Sequence, residues 1–115
     1  MPFNAREFFE GWGPHAEKMK QQAPAVSQAF GAMFQKIMAD GALSAKEKEY
    51  VALGIGVAST CTHCIHLHVK KLVEMGATRA QIIEAAGVAV MMRGGPAYTH
   101  IPAVIDALDV LEAKK

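Results

Sequence analysis

The chain has 115 residues, 51% of them hydrophobic and 20% charged, which places it in the globular class and excludes a disordered polymer. Twelve basic and eleven acidic residues leave a formal net charge of +1, so no basic field exists to hold a nucleic-acid backbone. The length fits one domain over residues 1–115, and a mean hydropathy of +0.14 is apolar for so small a protein, which points to surface buried between subunits.

A helical period runs through the whole sequence, and no stretch alternates as a strand does. Residues 3–10 read as a short amphipathic helix that Gly11-Trp12-Gly13-Pro14 should stop, with a second helix after Pro14 reaching about Gln22. Pro24 opens a third, whose Val26, Phe30, Met33, Phe34, Ile37 and Met38 form the stripe of a core helix, closed by Asp40-Gly41. Ser44-Ala45-Lys46-Glu47 is a capping box for a fourth helix, which fades at Ser59-Thr60. A fifth begins near Cys61 and ends at Met75-Gly76, with Gly76 as its C-terminal cap. Thr78-Arg79-Ala80-Gln81 caps a sixth, running to about Met92, and Arg93-Gly94-Gly95-Pro96 breaks it. A last helix covers about 97–112, with an interruption near Pro102. The expected fold is all-α, a compact bundle of six or seven helices. The small residues of the sixth helix, 85–90, suit either tight packing within the subunit or a subunit contact.

The start of the chain lacks the pattern of a signal peptide, so a cytoplasmic location is expected. Residues 50–69 contain no Asp, Glu, Lys or Arg, but their second half, Cys61-Thr62-His63-Cys64-Ile65-His66-Leu67-His68, is too polar for lipid, and no membrane partner is expected. The only two cysteines form one C-x-x-C, which in a reducing compartment is a redox or metal-binding pair.

Cys61, Cys64 and His68 stand at i, i+3 and i+7 and fall within roughly 60° of one another on a helical wheel. His63 and His66 point elsewhere. Two thiols at a helix start can join as a disulfide, and the free amides there favour a thiolate. His68, one turn beyond Cys64, can exchange a proton with it, the arrangement that activates a sulfur nucleophile. Such a histidine needs a carboxylate to fix its tautomer, and Glu49, set in an apolar stretch of the preceding helix, is the candidate. Zinc is the competing use of Cys61, Cys64 and His68, with only His63 or His66 near enough to offer a fourth ligand.

Glu49, eleven residues, Cys61-Thr62-His63-Cys64, three residues and His68 read E-x11-C-x-H-C-x3-H. This pattern resembles the alkyl hydroperoxidase D (AhpD) family of the carboxymuconolactone decarboxylase-like superfamily, and the helical chain from about 24 to 112 is similar to that fold. The resemblance implies an all-α homo-oligomer, a trimer or hexamer, that reduces peroxides through its cysteine pair and needs no cofactor. It makes Cys64 the peroxidatic sulfur and Cys61 the resolving one, with Glu49 and His68 relaying protons and His63 assisting. The implied partners are a peroxide substrate and an external dithiol or disulfide reductant protein. The alternatives are an acid-base enzyme of the carboxymuconolactone decarboxylase type, which has no need of a cysteine pair, and a metal-binding module.

Overall fold

The computed structural model describes residues 3–113 as seven helical elements: α1 (Ala5–Gln22), α2 (Pro24–Met38), α3 (Ala45–Ala58), α4 (Thr62–Glu74), α5 (Arg79–Arg93), α6 (Gly95–Tyr98) and α7 (Ile101–Ala113). Their starts follow local chemistry. Ser44 and Thr78 each accept the N–H of the third helical residue, and Glu47 and Gln81 reach back to the cap's own amide, so both capping boxes close. Gly76, with φ +86°, ends α4 in the left-handed region, where a side chain would be strained.

The core is the junction of α3, α4, α5 and α7. Leu53 and Val57 of α3, Ile65, Val69 and Leu72 of α4, and Ile82 and Ala86 of α5 meet Val104, Ala107 and Leu108 of α7, all without exposed surface. α3 packs chiefly against α4 and α5, and α4 against α7. The last segment is divided as the proline suggests. α6 is one turn, Thr99 and His100 intervene, and Pro102 sits in the opening turn of α7, where its missing N–H costs nothing.

Two expectations are corrected. The break at residues 11–14 does not form: α1 runs unbroken through Pro14. Proline removes one backbone hydrogen bond, and side-chain packing compensates, because Phe8 and Trp12 stack with ring centroids 5.5 Å apart and tie the turns on either side of Gly11. The second correction concerns α2, whose apolar stripe is not in the core of the chain. No residue of α2 is buried; Phe30 and Ile37 are each 59% exposed, and of its apolar stripe only Phe34 and Met38 are partly covered. The pattern correctly marked an apolar face, but α1 and α2 form an arm whose outer side meets no other helix of this chain. The arm is held at its ends. The Ala5 N–H donates to Asp106 Oδ2 of α7 at 2.7 Å, and Lys48 Nζ of α3 donates to the carbonyls of Ile37 and Ala39 at 2.8 and 2.7 Å, satisfying the C-terminal end of α2.

Among the described residues no helix is long and apolar enough to cross a membrane.

Candidate active site

The cysteine pair sits where α3 hands over to α4. Ser59 ends α3, and its N–H still donates to the Ile55 carbonyl. Thr60 then turns the chain through φ +56°, an uncommon value for a residue with a side chain. Cys61 follows as the N-cap of α4, anchored back to α3 by its N–H on the Gly56 carbonyl at 2.9 Å. Gly56 permits this closeness: a Cβ there would stand 3.2 Å from Cys64 Cβ, tighter than ordinary contact.

Cys61 and Cys64 are joined as a disulfide with their Cα atoms 5.2 Å apart, inside the span such a bond requires. The Cys64 N–H also points at Cys61 Sγ, 3.2 Å away, so the sulfur serves as the helix cap. One turn on, His68 Nδ1 donates to Glu49 Oε1 at 2.7 Å. Glu49 is 2% exposed and His68 19%, so the carboxylate is shut in and the imidazole opens toward solvent. With Nδ1–H committed to the carboxylate, Nε2 is left as the proton acceptor. Phe34 of α2 lies over the imidazole, nearly parallel at 6.5 Å between centroids, and walls it on the side of the arm.

The structure thus joins Cys61 to Cys64 at the α3–α4 junction and Glu49 to His68 one turn further along α4, and it places His63 elsewhere. His63 is exposed and stacks on Phe8 of α1 at 4.9 Å. His66 is 1% exposed, between Phe8 and Phe9. Burial pushes its pKa below the ordinary 6.5; Asp106 of α7 draws it up and His63 presses it down. Among the described residues no three His, Cys, Asp or Glu side chains gather as a metal ion would need.

Two contributors, Phe34 and Gly56, are not singled out by the sequence. Phe34 falls on a stripe that the sequence marks as core, and only the α2 arm's path carries it over His68. Gly56 had a visible signal, a glycine within an apolar helix, which often marks a close backbone approach. His66 falls in register with Ile65, Val69 and Leu72, the buried face of α4.

Residues 24–111 match the carboxymuconolactone decarboxylase family, and the chain belongs to it. Two uncharacterised bacterial proteins are similar in sequence. One, from the cox locus of Paracoccus denitrificans, is 38% identical over 87 residues, spanning 76% of this chain and 78% of the relative. The other, from Cupriavidus necator, is 30% identical over 93 residues, spanning 81% and 82%. A crystal structure of a carboxymuconolactone decarboxylase family protein from Legionella pneumophila superposes with a TM-score of 0.85 at 30% identity, covering 91% of this chain and 94% of that one. A family protein from Thermotoga maritima, for which involvement in an antioxidative response has been suggested, shares the fold with a TM-score of 0.81 at 24% identity, over 94% and 92% of the two chains.

Proposed function

We propose that the protein is a thiol-dependent peroxidase of the AhpD type, cycling between a reduced Cys61/Cys64 pair and the disulfide. The observation that carries this reading is the buried Glu49 carboxylate hydrogen-bonded to His68 one turn from that pair. In the reduced chain, His68 Nε2 takes the Cys64 proton. The thiolate attacks the terminal oxygen of a hydroperoxide, the O–O bond breaks, and the proton held by His68 leaves with the alkoxide as an alcohol. The sulfenic acid on Cys64 condenses with the Cys61 thiol, releasing water and forming the disulfide. An external dithiol returns two electrons and two protons and is itself oxidised. Glu49 holds the imidazole in the tautomer that accepts at Nε2 and stabilises the imidazolium that forms. His63, the accessory of the resemblance, supports the turn by its stacking on Phe8.

The apolar faces left open on α2 and on α3/α5 (Val51, Ile55, Val88, Met91) support assembly as a homo-oligomer, a trimer or hexamer by resemblance. A reducing compartment such as the cytoplasm suits the cycle. Peroxide consumption with a dithiol donor tests the whole reading. Turnover is expected for the parent chain and none for Cys64→Ser. Equal rates in both would refute it.

A further inference from the structure

The side of α4 turned away from the sulfurs borders a different feature. Between α1 and the first turns of α4 lies an open cavity of about 490 Å³, lined by Phe8, Trp12, His15, His63 and His66, with Glu7 in its wall. Its size is that of a small-ligand pocket. The aromatic side forms a ladder: Trp12 stacks on Phe8, and Phe8 on His63, each pair tilted by 23°. His66 closes the inner end. It is 1% exposed, and neither Nδ1 nor Nε2 has a hydrogen-bond partner. Buried polar atoms are nearly always paired, and a leucine would fill this position without the loss of stability that two orphaned nitrogens bring. A histidine left in that state is accounted for if a ligand completes it.

We propose that the α1–α4 cavity binds a small neutral phenol, its ring against the Phe8 and Trp12 wall and its hydroxyl paired with the imidazole of His66. Each part follows from the lining. The flat apolar wall takes an aromatic ring. Burial keeps His66 in its neutral form, which offers one acceptor nitrogen and one N–H. A hydroxyl, donor and acceptor at once, can pair with either nitrogen, one at a time, a small turn of the ring bringing that nitrogen to the cavity. A carboxylate would face Glu7 in the wall, and any charged head would be stripped of water against an uncharged ring. The cavity shares α4 with the C-x-x-C but none of its sulfurs, so this inference stands apart from the redox reading.

Trp12 is the chain's only tryptophan, so its fluorescence reports on the cavity directly. The full chain, with its disulfide intact, is titrated with p-cresol, toluene and benzoate. Saturable quenching by p-cresol is expected, with toluene and benzoate each weaker by about tenfold or more, the loss of roughly one hydrogen bond. In His66→Leu, p-cresol and toluene should bind alike. Quenching that stays linear, benzoate binding as well as p-cresol, or a preference for p-cresol that survives in His66→Leu would each overturn the proposal. A measurement on the unmutated chain guards against misfolding of the variant. The imidazole resonances of His66 should move on adding p-cresol while those of His100, on the α6–α7 connection, stay in place. If His66 does not move, the proposal fails.

Discussion

Glu49 reaches across from α3 to hold the imidazole of His68 on α4 at 2.7 Å, so the tautomer of a partly open histidine is set by a carboxylate that is itself buried. The pair binds two helices as well as two side chains, and it leaves Nε2 free to take a proton. Glu49→Gln keeps the shape and loses the charge; His68→Ala loses the base. Each should slow alkylation of the reduced cysteines and lower peroxide turnover by about 10²–10⁴-fold. Because the two act as one unit, the double variant should cost little more than the worse single one. The pH dependence of alkylation in the three variants and the parent, with Lys70→Ala as a surface control, checks this. A silent Glu49→Gln would remove the relay.

Gly56 and Gly54 lie two residues apart on α3 and should respond in opposite directions to alanine. At Gly54 nothing stands within 4 Å of an added Cβ, so the variant should gain up to about 1 kcal/mol from helix propensity. At Gly56 the new methyl meets Cys64 Cβ at 3.2 Å, and the first turn of α4 must move. Overpacking of this kind costs about 1–3 kcal/mol, enough to outweigh the propensity gain. Urea midpoints of the two variants measure the difference.

His66 makes stability depend on pH. Its folded pKa lies below the 6.5 it has when free, so the unfolded chain binds the proton more readily. Stability should therefore be fully present above that value and should fall as pH drops through it, levelling off once the folded form also takes up a proton. Asp106 limits the fall and His63 deepens it. His66→Leu should remove this part of the acid sensitivity and add about 1 kcal/mol at neutral pH, through the loss of two unpaired polar atoms. Thermal melts between pH 5 and 8 read both effects.

The exposed stripe of α2 gives a fourth expectation. Phe30→Glu should lower the oligomeric state without changing helix content, since Phe30 is 59% exposed within its own chain. Light scattering against concentration, with circular dichroism alongside, decides it. A parent chain already monomeric at micromolar concentration would refute the assembly.

The helices were largely legible because their signals are local. Ser44 and Thr78 cap where the sequence said they would, and Gly76 ends α4 as expected. The approach of Glu49 to His68 was legible too, since a carboxylate amid Tyr50, Val51, Ala52 and Leu53 needs a partner. The failures share another cause. An apolar stripe says that a face is covered, not by what, so Phe30 and Ile37 point by pattern to a core they do not enter. Pro14 reads as a stop because the cost of one missing N–H is visible in sequence, while the stacking of Phe8 on Trp12 that offsets it is not. The cavity at His66 depends on α1 lying across α4, a tertiary fact with no local signature.

The sulfur of Cys61 is also the acceptor for the amide of residue 64. A disulfide sulfur is a poor acceptor and a thiolate a good one. In the reduced pair Cys61 rests as a thiol, and when alkaline pH takes its proton the opening turn of α4 tightens, while oxidation relaxes it. The backbone hydrogen of Cys64 becomes a gauge of electron count: at a pH where the Cys61 thiol ionises, it should trade with deuterium more slowly in the reduced protein than in the oxidised one, while the amide of Ile65, bound to the Cys61 carbonyl in the usual helical way, keeps nearly the same rate. A single amide signal would then follow the cycle of the cysteine pair without any reagent touching the sulfur.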